Sequence, residues 1–344
     1  MTVIQRLQEH GLRRIGSPKA GFRYETPEGA NVNGAHKGRI RALVIPPAWT
    51  DVFVSPSPTS PVQAIGRDRA GRWQYRYSEA QTKRREAKKR ERLLTFLRAL
   101  PRIRSRVDRD LRGDDLSRER DLAAMVRLLL RGFLRPGSQV YARENGSYGL
   151  STLRPRHVRV RGRRITLAYP GKSGKRQVRE IDDAAAARVV AALLADPGPE
   201  VFRWKNGDGE WTNATRRHVN AYLGEIVGAR ITAKDFRTWA GTVFGACALA
   251  RSGFPDPPSA SAVRRSVAAA MRETAQLLGN TPTVCRASYV SPAVLSAFEK
   301  GRLLPDPPPL GALVRGSSRA LERVERRLAR LIANGSNGAE ARAA

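Results

Sequence analysis

Residues 73–101, WQYRYSEAQTKRREAKKRERLLTFLRALP, decide the fold class. They open on an alternation. Trp73, Tyr75 and Tyr77 fall on one face and Gln74 and Arg76 on the other, the period of a β-strand. At Ser78 the pattern changes. Residues 79–92 are mostly charged, and Leu93, Leu94, Phe96, Leu97 and Leu100 follow at helical spacing, which predicts a basic helix with an apolar end stopped at Pro101. A β-rich segment gives way to a helical one within a few residues, so the domain junction falls near residues 78–90.

Upstream, residues 40–54 (IRALVIPPAWTDVFV) predict a strand, a break at Pro46-Pro47 and a second short strand. Residues 62–66 and 73–77 predict a hairpin around RDRAG at 67–71. Downstream, Ser117 caps a helix that runs to about Leu130. A three-strand meander follows at 157–160, 164–169 and 176–181, with turns at Arg161-Gly162 and at 170–174. Helices are expected at about 183–195, 213–228, 233–250, 260–278, 283–290, 292–300 and 317–333. Thr232 and Asp235 form a capping-box variant, Ser291-Pro292 a helix start and Gly301 a stop. The fold class is α+β. A small β-rich N-terminal domain (1–85) precedes a larger, mainly α-helical domain (86–333) containing a three-stranded antiparallel sheet, and 334–344 is expected to be a disordered tail.

Composition narrows the partners. The 344 residues hold 63 Lys plus Arg against 31 Asp plus Glu, a net charge of +32 and a pI near 11.4. At 41% hydrophobic the chain can fill a core in each of two domains. No apolar run approaches 18 residues, which argues against a membrane span, and the charged first 20 residues lack a secretory core. Two cysteines, Cys247 and Cys285, supply no disulfide framework, so the reducing cytoplasm is the expected compartment. The charge draws a polyanion. Because arginines run through strands, turns and helices rather than along one amphipathic helix, nucleic acid is expected and a membrane surface is not.

Several chemistries are absent from the sequence. No GxxxxGK[ST] string exists, so no nucleotide cofactor is expected. His10, His36, His157 and His218 lack ligand spacing, and no metal is expected. Asp114-Asp115 and Asp182-Asp183 sit at helix starts and read as caps rather than as a two-metal nuclease. What remains is cations with hydroxyls and phenols. That set suits transesterification at a phosphate: arginines on nonbridging oxygens, a lysine protonating a leaving oxygen, and a tyrosine or serine attacking.

Four segments then fall in order: RPGSQVYARENGSYGLSTLRPRHV (135–158), YPGKSGK (169–175), KDFRTWAGT (234–242) and LLGNTPTVCRASYV (277–290). With IPPAWTDVFV and GRDRAGRWQYRYSEA upstream, they resemble the type IB DNA topoisomerases, in the short form shared by poxviruses and bacteria, over roughly residues 35–300. The resemblance implies a DNA topoisomerase that relaxes supercoils without ATP. Tyr289 would be the nucleophile of a 3′-phosphotyrosyl intermediate. Arg135 and Arg237 would bind the phosphate and its transition state, and Lys172 would protonate the departing 5′-oxygen. Asn280 stands where the family often has histidine, so it can donate a hydrogen bond but cannot shuttle a proton. Gln74, Tyr75, Tyr77, Tyr141 and Lys234 match DNA-contact positions. The implied assembly is a monomer clamped on duplex DNA, associated with the nucleoid.

Two rivals have features of their own. A tyrosine recombinase shares the Arg, Lys, Arg, Tyr set, but its second arginine box usually reads HxxR, whereas this one reads Lys234-Asp-Phe-Arg237. Its N-terminal domain is also helical rather than β. An architectural DNA-binding protein would explain the charge and leave the ordered segments unexplained.

Overall fold

The structure, a computed structural model, describes residues 1–32, 34–113, 115–314 and 318–334. Asp114 and the tail beyond 334 therefore lie outside the described residues. The chain divides into two compact units, 1–89 and 90–344.

The first unit begins with α1 (Val3–His10), capped by Thr2, and then β1 (Leu12–Ser17) and β2 (Gly21–Glu25). After α2 (Gly34–Ala42) come β3 (Thr50–Val54), β4 (Val62–Arg67) and β5 (Trp73–Tyr77). All five strands pair antiparallel in the order β2-β1-β3-β4-β5. The hairpin of β4 and β5 lies where the alternation places it. The strand expected at residues 40–45 does not form, because Ile40 lies in α2. Ile40 and Leu43, one helical turn apart, both pack into the small core with Leu12, Val32, Val52, Val54 and Ala64. Arg39 pins that helix to β4 by donating to Gln63 Oε1 at 2.5 Å and to the Ser55 carbonyl at 2.6 Å. A short apolar run satisfies helix or strand equally well, and here the packing chose helix.

The helix predicted after Ser78 is α3 (Glu79–Asp110), and it continues through Pro101. Proline removes one helical hydrogen bond. The buried stripe of Phe96, Leu100, Ile103 and Val107, none of it exposed, holds the helix on both sides of that defect.

The second unit continues with α4 (Arg118–Gly132) and α5 (Gln139–Asn145), then β6 (Val158–Arg161), β7 (Arg164–Pro170) and β8 (Arg176–Asp182). These three strands form the antiparallel meander in sequence order. Then come α6 (Ala184–Ala195), the small hairpin of β9 (Arg203–Lys205) and β10 (Trp211–Asn213), α7 (Arg216–Val227), α8 (Ala233–Ser252) and α9 (Ala260–Leu278). The helix expected over 283–290 is instead the turn α10 (Pro282–Val284) followed by a π-helical turn, Cys285–Tyr289. The chain ends in α11 (Pro292–Glu299), α12 (Leu310–Val314) and α13 (Ser318–Ala333).

Local signals explain much of this framework. Asp183 caps α6 by accepting from the Ala186 N–H at 3.0 Å, as its place at a helix start suggests. Helix α8 is the hub of the core. It buries Phe236, Trp239 and Phe244 almost completely, and its first turn carries Lys234, Asp235 and Arg237.

Candidate active site

Helix α8 starts with the capping box read from the sequence. The Thr232 N–H donates to Asp235 Oδ2 at 2.7 Å, and Arg92 clamps the same carboxylate with two bonds of 2.6 Å. This fixes the first turn, from which Lys234 points outward, exposed, and Arg237 points inward, only 3% exposed. The Arg237 guanidinium is held by carbonyls from other elements: Nη1 donates to Phe133 at 2.5 Å and Nη2 to Leu278 at 2.9 Å. Phe133 can present its carbonyl because it ends α4 in the left-handed conformation, at φ 53°.

Arg135, two residues on, donates to Asn280 Oδ1 and, at 3.4 Å, to the Gly279 carbonyl. Asn280 does not cap α9 with its side chain. Gly279 takes the left-handed cap at φ 62°, and it is the Asn280 backbone N–H that bonds back to Ala275 at 2.9 Å. With Oδ1 taken by Arg135, Asn280 Nδ2 is a buried donor without a partner among the described residues, and so is Arg237 Nε. Buried donors left open are uncommon in folded proteins and mark places where an acceptor belongs.

Tyr289 closes the site. The centre of its ring lies 4.8 Å from the Arg237 guanidinium carbon. Burial pushes the phenol up, but the charge and hydrogen bond of Arg237, with the charges of Arg135 and Lys234, outweigh it and bring it below the ordinary tyrosine value. The backbone of Tyr289 is fixed from α8. The Thr242 hydroxyl lies 2.7 Å from the Thr238 carbonyl and 3.1 Å from the Tyr289 carbonyl, and it accepts from the Ser291 N–H at 3.1 Å. Beside it, a Cβ on Gly241 would lie 2.7 Å from Tyr289 Cβ, so only glycine allows this approach.

The tertiary structure thus brings Arg135, Arg237, Asn280 and Tyr289 together, with Lys234 near enough to act on the phenol electrostatically. Lys172 stands exposed in the turn between β7 and β8, a turn shaped by Ser173 at φ 62° and Gly174 at φ 71°. Tyr141 is 62% exposed on α5, so it is not a packed tyrosine. In the first unit, Trp73, Tyr75 and Tyr77 are not part of the small core. Tyr75 stacks on Tyr77 at 6.1 Å, Arg67 covers Trp73, and Arg85 covers Tyr77. Gln74 donates to Asp68 Oδ2 at 2.9 Å.

Sequence reasoning missed three contributors: Gly241, Thr242 and Arg179. Arg179 sits on the same face of β8 as the buried Gln177 and Ile181, and its Nη2 donates to the Leu277 carbonyl at 3.1 Å. A charged residue at an inward register was the available signal. Among the described residues no carboxylate pairs with Arg135, Arg179 or Arg237, and no cluster of three metal-ligating side chains occurs. No described helix is long and apolar enough to cross a membrane.

A phenol lowered by guanidinium groups thus stands in a site that also holds buried donors without acceptors among the described residues. Residues 78–300 match the family of the eukaryotic DNA topoisomerase I catalytic core, and residues 21–68 that of the bacterial DNA topoisomerase IB N-terminal domain. A DNA topoisomerase 1B of Acanthamoeba polyphaga mimivirus is 34% identical over 266 residues, covering 76% of this chain and 79% of that protein. The DNA topoisomerase 1B of vaccinia virus (strain Copenhagen) is 24% identical over 248 residues, or 70% and 73% of the two chains. The chain belongs to the type IB DNA topoisomerases, isomerases that act on duplex DNA.

Proposed function

We propose that this enzyme relaxes supercoiled DNA by nicking one strand through Tyr289 and resealing it. The Tyr289 phenol gives its proton to water, the phenolate oxygen attacks the scissile phosphorus to form a 3′-phosphotyrosyl bond, and as the P–O5′ bond breaks the 5′-oxygen leaves with a proton from Lys172. Arg135, Arg237 and Asn280 hold the nonbridging oxygens as charge develops on them. The free end rotates under torsion, and the 5′-hydroxyl then attacks the phosphotyrosine to restore the strand. One phosphodiester is exchanged for another of similar energy, so ATP is not required. The chain works as a monomer clamped on the duplex. Gln74, Tyr75 and Tyr77 of the first unit and Tyr141 and Lys234 of the second contact DNA.

One observation carries this reading: the Tyr289 phenol, lowered by Arg237, lies beside two buried donors that have no acceptor. The test is relaxation of a supercoiled plasmid without ATP, with and without EDTA. Wild-type protein should relax it in both, and Tyr289→Phe should neither relax it nor form a covalent adduct while still binding duplex. Activity confined to paired sites would indicate a recombinase, and an unchanged linking number a DNA-binding protein without catalysis.

A further inference from the structure

The end of α9 offers three successive carbonyls to three different arginines. Leu277 accepts from Arg179 Nη2 at 3.1 Å, Leu278 from Arg237 Nη2 at 2.9 Å and Gly279 from Arg135 Nη2 at 3.4 Å. Arg237 and Arg135 have roles in the reading above. Arg179 has none.

We infer that Arg179 is a positioning residue that fixes the β7–β8 turn carrying Lys172 against the α9 end carrying Asn280. This inference rests on the general-acid role of Lys172 proposed above. Arg179 is the fourth residue of β8, in register with Leu167 of β7. Of its terminal nitrogens, Nη1 donates to the Val178 carbonyl at 2.8 Å and Nη2 to the Leu277 carbonyl and, at 3.5 Å, to Gln177 Oε1. These bonds tie the guanidinium to its own strand and to the end of α9. The neighbouring Gln177 approaches the same helix end so closely that a Cβ on Gly279 would lie 2.4 Å from its Oε1. Sheet and helix end are thus in contact here, and Arg179 is the charged tie between them.

The tie has a cost. Burial lowers the Arg179 pKa, Tyr169 opposes this, the neighbouring charge on Arg135 lowers it further, and no carboxylate pairs with the guanidinium among the described residues. A leucine would fill an inward position on β8 without that cost, but it could not hold the Leu277 carbonyl. The functional consequence concerns one step. As the Tyr289 Oη–P bond forms and the P–O5′ bond breaks, the proton on Lys172 passes to O5′. That transfer requires hydrogen-bond distance between the ammonium and the departing oxygen. Loosening the turn should therefore slow protonation of the leaving group, not attack by the phenol.

The experiment measures single-turnover cleavage of a duplex built around a mapped cleavage site, with either the ordinary phosphodiester or a 5′-bridging sulfur at the scissile position. A thiolate leaves without a proton. Arg179→Ala should slow the ordinary substrate at least about 10-fold, toward the 10²–10⁴ that a general acid contributes. The sulfur substrate should bring it back to within about threefold of wild type. Arg179→Lys, which can still reach the Leu277 carbonyl, should be slowed less and rescued alike, and it serves in place of the alanine variant should that one melt. Equal slowing on both substrates at an unchanged melting temperature would overturn the inference, as would a wild-type rate on both. Lys172→Ala is the control. If sulfur rescues Lys172→Ala but not the Arg179 variants, the positioning role alone is lost. If it does not rescue Lys172→Ala, the general-acid reading fails and takes this inference with it.

Discussion

Arg237 holds its guanidinium carbon 4.8 Å from the centre of the Tyr289 ring while both of its terminal nitrogens are engaged by the Phe133 and Leu278 carbonyls. The residue that lowers the phenol is therefore itself immobilised from two other elements, α4 and α9. A cation this fixed needs no reorganisation when negative charge builds on a phosphate, which is the condition under which such groups stabilise a transition state most.

A lysine cannot reproduce the fork that spans two carbonyls and faces the ring. Arg237→Lys should lose about 10²–10³ in single-turnover cleavage, the range for one lost transition-state donor. The phenol should also rise, because burial, which pushes it up, would be less well opposed. A higher phenol pKa leaves less phenolate at any given pH. The rising limb of the pH–rate profile should therefore move to higher pH, and an unmoved limb would separate Arg237 from the ionisation of Tyr289.

Gly241→Ala should act on Tyr289, the proposed nucleophile, without touching the proposed DNA contacts. Its methyl carbon would sit 2.7 Å from Tyr289 Cβ and 3.0 Å from the Tyr289 carbonyl oxygen, so the tyrosine must shift. A displacement of the order of 1 Å costs about 10²-fold in rate. Cleavage should fall by that much while duplex affinity, measured by anisotropy, stays within about twofold, the two alanine-specific effects being separable in one preparation. Unchanged cleavage would mean that the backbone absorbs the methyl.

Asn280→Ala should lose about 10²-fold or more in cleavage, about 2.7–4 kcal/mol for one oxyanion-type donor. Its melting temperature should hold, because α9 is capped by Gly279 and by a backbone bond that alanine keeps. Asn280→His should retain most activity, since imidazole can donate in either protonation state. Full cleavage with a lowered melting point in the alanine variant would assign Asn280 to stability instead.

Asp121 predicts a pH-dependent stability. It is fully buried on α4, no cation pairs with it among the described residues, and burial raises its pKa well above the ordinary value, partly offset by a hydrogen bond from the backbone of Arg203. Folding therefore takes up a proton. Its ionisation costs nothing well below the ordinary carboxylate pKa of about 3.9, where the group is neutral in both states, and it destabilises progressively as pH rises from there through its folded pKa. Asp121→Asn should melt at the wild-type temperature near pH 4 and a few degrees higher at pH 8, at about 2–4 °C per kcal/mol for a domain of this size. A difference independent of pH would show that the carboxyl is not protonated in the fold.

What the sequence determined by itself is local or ordered along the chain. Alternation in 73–77, the change of period at Ser78, the meander at 158–182 and the capping box at Thr232 all depend on neighbours a few residues apart, and they form as read. The candidate site residues were legible as types in a fixed order. Tertiary packing decided the rest. Ile40 became helical because a short apolar run fits either period and the small core accepted it with Leu43 one turn away. Pro101 failed to end α3 because fully buried side chains flank it on both sides. Arg179, Gly241 and Thr242 entered the site through partners 98, 48 and 47 residues distant. No local pattern records such pairings, since they exist only after α8, α9 and the sheet have packed and each buried donor has found a carbonyl or been left without one.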